Sequence, residues 1–388
     1  MKLKILHSLE TIPAPEWNSL AGTANPFLSH EFLAALEHHG AVSHRTGWIP
    51  NHLALYDEHG LAAASPGYQK LHSWGEFVFD FAWADAYDRH GMEYYPKLVS
   101  AVPYTPVTGP RVLVRPGLDR MAVVSEFAAQ AQELIRHKAL SSTHWLFVEQ
   151  ETAYTLAAAG YSIRLGYQYH WNNAGYESFE AFLAELSSKK RKSIRRERRR
   201  VREMGIEFRT HAGHEIPADL WHSFHRFYVN TFHAHGNIPL LSLDFFRELG
   251  ERLRSRVVLV EARARGSTIA AALYLRSDTT LYGRYWGDNG EMHDGLHFET
   301  CYYQGIDYCI REGLRRFESG AQGEHKVARG FLPTPTYSCH HLLDRRFRLA
   351  VDEFLRQERA AIEDYIRERT QAGPFRLDAL ERIVSSNP

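Results

Sequence analysis

The chain has 388 residues, more than one hydrophobic core usually organises, so we expect two domains. Basic and acidic residues balance at 46 each and 44% of the residues are hydrophobic, which is typical of an ordered globular protein. No apolar run reaches the roughly 18 residues that a membrane-spanning helix needs. The cysteines, Cys301, Cys309 and Cys339, lack CxxC spacing and cannot form a disulfide framework, so we expect reduced thiols and a cytoplasmic protein.

The first half of the chain predicts a hairpin followed by alternating strands and helices. Two apolar stretches between His52 and His72 surround a turn that contains Gly60, which is the pattern of a β-hairpin. After it we predict an aromatic strand at 77–83, a helix at 91–102 and a strand at 111–114. A helix at 124–139, a strand at 145–149, a helix after Glu151 and a strand at 161–170 follow.

A basic helix is predicted between the two halves, over 178–204, with an interruption at Ser187 and a stop at Gly205. Ten of the fourteen residues from Lys189 to Arg202 are lysine or arginine. Such a run is usually a solvated helical face, but like charges this dense also favour a polyanionic partner such as tRNA. Because no aromatic residues are interleaved, any contact with RNA would be to phosphate.

The second half repeats the order of elements in the first. After a helix at 218–233, we predict a hairpin at 257–276, an aromatic strand at 281–286, a helix at 295–313 and a strand at 315–319. We interpret the repeat, offset by about 200 residues, as a duplication. The alternative is two ordinary α/β segments that look alike. The chain then ends in helices, most clearly at 349–369, and the predicted domains are 1–170, a connecting basic helix at 171–205, and 206–388.

The repeated order resembles the core of GNAT acyltransferases, and its doubling resembles the Fem-type peptidoglycan aminoacyltransferases. The segments Asn25–Glu37 and Gly320–Pro333 are similar to a FemAB-like family labelled peptidoglycan biosynthesis or recognition. The resemblance implies an α/β (α+β) fold of two GNAT-like domains in tandem, each a mixed sheet flanked by helices. It also implies an N-acyltransferase that moves an acyl or aminoacyl group to an amine.

Acyl transfer to an amine needs a base and hydrogen-bond donors for the carbonyl oxygen. Glu324 and His325 follow the predicted strand 315–319, and either is a candidate base; the alternative is a polar turn in which Glu324 pairs with Lys326. Tyr303 is a candidate donor to the carbonyl or the leaving group.

Four residues are expected to bind the donor substrate. The resemblance implies that Lys326 and Gly330 bind donor phosphate, or that Lys326 stabilises the oxyanion. Tyr302 is expected to contact the donor, and Gly295 opens a helix whose N-terminus offers free N–H groups to an anion.

The identity of the donor stays open. Many GNAT enzymes bind the coenzyme A pyrophosphate with a glycine-spaced loop, Q/R-x-x-G-x-G/A, before the central helix. The equivalent stretch, Gly287–Phe298, lacks that spacing and carries Glu291 and Asp294. We therefore keep both acyl-CoA and aminoacyl-tRNA as possible co-substrates, with no tightly bound cofactor.

Two other functions compete with acyl transfer. One is a non-catalytic protein that binds a cell-wall precursor or RNA. The other is a zinc hydrolase, suggested by His293 and His297 at HExxH spacing, although Gly295 falls within that turn and no third ligand is evident, so no metal is expected. No sustained heptad pattern is present, so the oligomeric state stays open.

Overall fold

The computed structural model describes residues 1–291, 293–320 and 323–385. They form two compact units: unit 1 is Met1–Tyr167 with Pro335–Ile366, and unit 2 is Gln168–Thr334 with the chain from Arg367 onward. This division departs from the expected domains because the basic helix belongs to unit 2 and residues 335–366 return to unit 1. In the described part of the chain, no helix is long and apolar enough to cross a membrane.

Unit 1 is built mainly from the first half of the chain. In chain order its elements are β1 (Lys2–Leu6), α1 (Ala14–Ala21), α2 (His30–His38), β2 (Trp48–Pro50), β3 (His52–Asp57), β4 (Gly60–Ser65), β5 (Gly67–Lys70), α3 (Phe81–Arg89), β6 (Lys97–Ser100), β7 (Leu113–Val114), α4 (Arg120–His137), β8 (Ser142–Val148) and α5 (Gln150–Ala158). Strand β9 (Ser162–Asn172) then carries the chain into unit 2.

Unit 2 follows the same plan. Its elements are α6 (Phe179–Glu185), α7 (Ser188–Glu203), β10 (Glu207–Ala212), α8 (Ala218–Ala234), α9 (Leu243–Leu253), β11 (Val257–Ala264), β12 (Ser267–Arg276), β13 (Thr280–Asp288), α10 (Leu296–Phe298), α11 (Gln304–Arg311) and β14 (Arg316–Glu318). Strand β15 (Leu332–Leu342) returns the chain to unit 1, and α12 (Arg345–Gln371) and α13 (Leu377–Ser385) follow.

The two units have the same order of strand directions. In unit 1, β1, β3 and β4 are antiparallel neighbours, β5 continues after β4 and pairs antiparallel with β6, β6 pairs parallel with β8, and β8 pairs antiparallel with β15. In unit 2, β10 to β13 are antiparallel, β13 pairs parallel with β14, and β14 pairs antiparallel with β9. The last strand of each unit therefore comes from the other half of the chain.

A central helix packs on one face of each sheet. In unit 1, Phe127 of α4 meets Trp145 of β8 edge to face. In unit 2, a Cβ at Gly305 of α11 would lie only 2.5 Å from the ring of Phe317 on β14, so the helix approaches the strand closely. Because side chains alternate along a strand, His144 and Glu318 project from the faces opposite these helices.

The strand and helix predictions hold for most of the second half of the chain. They fail at two places in the first half and at one place near the end of the second half. Residues 77–83 are not a strand: the chain is irregular up to Asp80 and α3 begins at Phe81. Residues 91–102 are not a helix, because Pro96 cannot sit in a helix interior, and the buried strand β6 begins at Lys97. Strand β15 was missed, since helices alone were expected after Pro335.

The basic segment is helical, as predicted. Ser187 lies between α6 and α7, and Gly205, at φ +70°, follows the end of α7. Only Ile194 and Val201 of α7 are buried. The helix therefore attaches by a narrow apolar stripe and exposes most of its cationic side chains.

Candidate active site

The parallel pair β13 and β14 ends part-way along β13. The last paired residues are Tyr282 and Glu318, where β14 stops, while β13 continues to Asp288. Within the described residues, the part of β13 that follows Tyr282 has no parallel strand paired with it on that side. The carboxyl ends of parallel strands, where neighbouring strands part, are the usual ligand sites of α/β sheets.

Glu318 is buried at this point and faces an imidazole on the neighbouring strand. Its Oε2 lies 4.0 Å from Nε2 of His170 on β9, and both side chains are at most 6% exposed. Burial raises the pKa of Glu318 to about 7, with Arg316 opposing, and lowers the pKa of His170 to about 3. Glu318 Oε2 and His170 Nδ1 have no hydrogen-bond partner within the structure. The pair therefore consists of a carboxyl group whose pKa lies near 7 and an uncharged imidazole.

Lys326 closes the loop that follows β14. Its side chain is buried, and its Nζ donates to the carbonyl oxygens of Ser319 and Gly320, both at 2.9 Å. Burial lowers its pKa to about 8. An ammonium group has three N–H donors, so this geometry leaves a third for a ligand.

His325 and Tyr302 meet next to this loop. The Tyr302 hydroxyl and His325 Nε2 are 2.9 Å apart, and the ring of His297 packs edge-on against Tyr302. Burial, together with the charges of Lys326 and Arg329, lowers the pKa of His325. The structure thus brings Tyr302, His325 and Lys326 to the same end of β14.

Tyr303 lies in a different environment from Tyr302. Both are held by a single π-helical turn, Glu299–Tyr303, a feature common at functional sites. The Tyr303 hydroxyl donates to Glu197 of α7 at 2.5 Å, and Glu197 also accepts from Arg329 at 3.0 Å. Tyr303 is completely buried and links the helix to α7, so its geometry favours a positioning role.

Glu324 stands apart from the buried groups. Its side chain is 61% exposed and pairs with Arg369 at 3.3 Å, not with Lys326 as the polar-turn alternative supposed. Glu324 therefore lies outside the buried cluster that contains Glu318, His170 and Lys326.

The two predicted glycines have structural explanations. Gly330 has φ +94°, and a Cβ there would lie 2.7 Å from the Phe182 ring. Gly295 has φ +82° and precedes α10, but its nearest neighbour is Val201 of α7. Since Arg200 of α7 also pairs with Asp294 at 2.7 Å, the basic helix lies against this helix N-terminus.

No group of three or more His, Cys, Asp or Glu side chains suited to a metal ion occurs among the described residues. Ala321 and Gln322 of the motif 320–333, and Met292 of the stretch 287–298, lie outside the described residues.

The sequence matches the model of the FemAB-like family, described as peptidoglycan biosynthesis/recognition, over residues 8–377. The chain belongs to the FemAB-like family. No curated protein matches it.

Two solved structures, FemX and L-PGS, show the same fold as this FemAB-like chain at low identity. FemX is 10% identical, with a TM-score of 0.56, over 91% of this chain and 100% of its own. L-PGS from Bacillus licheniformis is 10% identical, with a TM-score of 0.53, over 86% and 98%. A tandem GNAT protein from the clavulanic acid biosynthesis pathway is 11% identical, with a TM-score of 0.45, over 88% and 98%. The predicted family and the tandem GNAT-like fold class are confirmed.

Sequence reasoning missed Glu318 and His170. The strand at 315–319 was predicted, and a glutamate next to Phe317 inside that strand was the available signal. His170 ends a strand in the first half of the sequence. Nothing local shows that this strand pairs with β14, about 150 residues later, so the pair was not visible before the fold was known.

Proposed function

We propose that this FemAB-like protein is an N-acyltransferase that moves an aminoacyl or acyl group to an amine, with its chemistry at Glu318, His170 and Lys326 of unit 2. The observation that carries the proposal is the buried Glu318 carboxyl group, which has an unpartnered oxygen and a pKa of about 7 where the β13–β14 pair ends. Membership of a family of acyltransferase-like fold supports it.

Glu318 is proposed as the general base. An amine acceptor is mostly protonated near pH 7 and must lose a proton before it attacks. The first proton goes to bulk water, and a base with a pKa near the working pH then takes the second proton from the nitrogen as it attacks. Attack forms the C–N bond and the bond between the carbonyl carbon and the leaving oxygen or sulfur breaks; the proton that Glu318 took from the nitrogen passes to that leaving alcohol or thiol. His170, held neutral by burial, positions the carboxyl group.

Lys326 and Tyr302 are proposed to stabilise the oxyanion. The Lys326 ammonium is already fixed by two backbone carbonyls, so it needs no reorganisation when negative charge develops. The Tyr302 hydroxyl, bonded to His325, is a second preorganised donor next to the same loop.

The structure favours aminoacyl-tRNA over acyl-CoA as the donor. Coenzyme A binding in GNAT enzymes uses the N-terminus of the central helix, but here α7 packs against Gly295 and Asp294 adds negative charge. The outer face of α7 instead offers exposed cations that make no ion pair within the described residues, namely Lys189, Lys192, Arg196 and Arg202. Such a face suits a large polyanion.

A donor competition tests the proposal. Purified protein is incubated with bulk tRNA charged with labelled amino acids, or with labelled acetyl-CoA, and with a muramyl peptide that carries a free side-chain amine. We expect label to move from tRNA to the peptide and none from acetyl-CoA. The same peptide with its amine acetylated is the matched control and should remain unlabelled.

Two outcomes would change the proposal. Transfer from acetyl-CoA alone would leave an acyltransferase but refute the donor assignment. Saturable binding of tRNA or the muramyl peptide with no transfer from any donor would favour the non-catalytic binding protein, which the exposed cations of α7 also suit.

A further inference from the structure

Unit 1 buries a row of titratable side chains across four neighbouring strands. Lys70 of β5 is directly opposite Lys97 of β6, and His144 of β8 is directly opposite His340 of β15. All four are buried. They lie on one face of the sheet, away from the central helix α4.

Two carboxylates from the irregular segment between β5 and α3 contact Lys97 in this row. Lys97 Nζ donates to Glu76 Oε2 at 2.9 Å and to Asp80 Oδ2 at 2.5 Å, and the three side chains are at most 2% exposed. Tyr94 also donates to Asp80 Oδ2, at 2.6 Å. Both carboxyl groups therefore meet at one ammonium, which places their second oxygens close to it.

Those second oxygens are unsatisfied. Glu76 Oε1 and Asp80 Oδ1 are buried and have no hydrogen-bond partner. A buried polar atom without a partner costs about 1–3 kcal/mol, and more when it is charged, so native proteins rarely leave two together. Two hydrogen-bond donors are missing from this place.

One positive charge is missing as well. Lys97 balances only one of the two carboxylates. Lys70, the next cation, donates to the carbonyl oxygen of Trp74, and burial lowers its pKa to about 7. In keeping with this deficit, burial raises the pKa of Glu76 to about 7 even with Lys97 beside it.

Solvent lies on the other side of the same segment. Between the inward-facing Glu76 and Asp80, the side chains of Phe77 and Phe79 are 40% and 56% exposed, and Trp74 is 67% exposed. Only one irregular stretch of backbone carries both the buried carboxylates and these exposed rings.

We propose that unit 1 contains a second binding site, in which the free oxygens of Glu76 and Asp80 bind the primary ammonium group of a small amine. A primary ammonium supplies the missing charge and up to three N–H donors, whereas a water molecule supplies only two donors and no charge. An amino sugar or an amino acid side chain has this chemistry. The site is independent of the acyl-transfer site proposed in unit 2.

Thermal unfolding with two matched cations tests the site. Methylammonium has three N–H donors and tetramethylammonium has none, at the same charge and ionic strength. We expect methylammonium chloride at 100 mM to raise the Tm of the full chain by at least about 2 °C more than tetramethylammonium chloride does. Equal shifts would mean that water alone fills the site, and would overturn the proposal.

Two carboxylate-to-amide variants locate the effect. The difference between the two cations should disappear in Glu76→Gln and persist in Asp57→Asn, which alters the Arg115 ion pair elsewhere in unit 1. A difference that survives in Glu76→Gln would place the ammonium elsewhere and refute the site. If that variant does not fold, calorimetric titration of the wild type decides: saturable heat with methylammonium only supports the site, and its absence refutes it.

Discussion

The two units bury titratable side chains on equivalent strands but surround them differently. In unit 2, Glu318 and His170 stand 4.0 Å apart with no direct hydrogen bond. In unit 1, His144 and His340 occupy the corresponding strands, and their Nδ1 atoms share a hydrogen bond of 2.7 Å. Burial lowers the pKa of both imidazoles in unit 1, that of His144 to about 3. At this strand position unit 2 thus carries a carboxyl group whose pKa lies near 7, and unit 1 carries none.

A buried lysine in each unit shows a second difference between the units. Lys97 donates to two carboxylates, so its positive charge is neutralised inside unit 1. Within the described residues, the Lys326 ammonium donates to neutral carbonyl oxygens, so its charge is not neutralised by a carboxylate there. The comparison teaches that the partners around a buried lysine decide whether its charge is neutralised within the unit or left available.

The largest expected effect comes from removing the two lysines. Lys97→Met should lower the free energy of unfolding by about 3–5 kcal/mol, because it leaves two buried carboxylates without a counter-charge. Lys326→Met should cost about 1–3 kcal/mol, because it leaves two carbonyl oxygens unpaired. Urea denaturation of both variants measures the difference. Equal losses, or a larger loss at Lys326, would contradict the comparison.

A smaller effect is expected in the pH dependence of stability. The pKa of Glu318 is about 7 in the folded chain and near 4.5 when unfolded, so the folded state binds more protons between these values. Its contribution to stability therefore falls as pH rises from 4.5 to 7 and is level above that. Glu318→Gln should match the wild type near pH 4.5 and exceed it by about 1–3 kcal/mol at pH 8.

In unit 1, Glu76→Gln should gain stability relative to the wild type over the same pH range, since the folded pKa of Glu76 is also about 7. Glu261→Gln is the contrasting control. Hydrogen bonds from Thr268 and Arg263 outweigh its burial and lower the pKa of Glu261, so that variant should lose stability above the unfolded pKa. A pH-independent difference at Glu318 would show that its carboxyl group is ionised throughout.

The smallest expected effect concerns the basic helix. Replacing Lys189, Lys192 and Arg196 by glutamine should reduce the log–log salt slope of tRNA binding by about 2, at roughly 0.7 per neutralised phosphate. Fluorescence anisotropy at several salt concentrations measures it. Glutamine at the exposed Lys2, Lys4 and Arg89 of unit 1 is the matched control and should leave the slope unchanged. The same slope for both triple variants would mean that α7 does not contact tRNA.

Much of unit 2 could be predicted because its elements are locally consistent. Alternating apolar residues predicted β11 and β12, and the helix at 295–313 appears as α10, the π-helical turn and α11. The placement of His325 and Lys326 at the end of β14 followed from their position just after the predicted strand at 315–319. Periodicity and glycine positions carry this information within a few residues of sequence.

Two kinds of feature could not be predicted. One is a strand that pairs with a partner far away in the sequence, and the other is a segment that buries its charged residues and exposes its aromatic ones. Strands β9 and β15 pair in the unit formed by the other half of the sequence, which no local pattern shows. The segment 76–80 alternates like a strand, yet it buries Glu76 and Asp80 and exposes Phe77 and Phe79. Only the buried ammonium of Lys97 explains that inversion, and it lies about 20 residues away.

The central claim is that the chemistry depends on the Glu318 carboxyl group in unit 2. The most direct test is the rate of label transfer from aminoacyl-tRNA by Glu318→Gln, set against Glu261→Gln, a buried carboxyl group of the same unit that pairs with His211 and Arg263. The account predicts a loss of about 10²–10⁴-fold in kcat for Glu318→Gln with tRNA binding retained, and a change within about threefold for Glu261→Gln. Transfer by Glu318→Gln at the wild-type rate would contradict it.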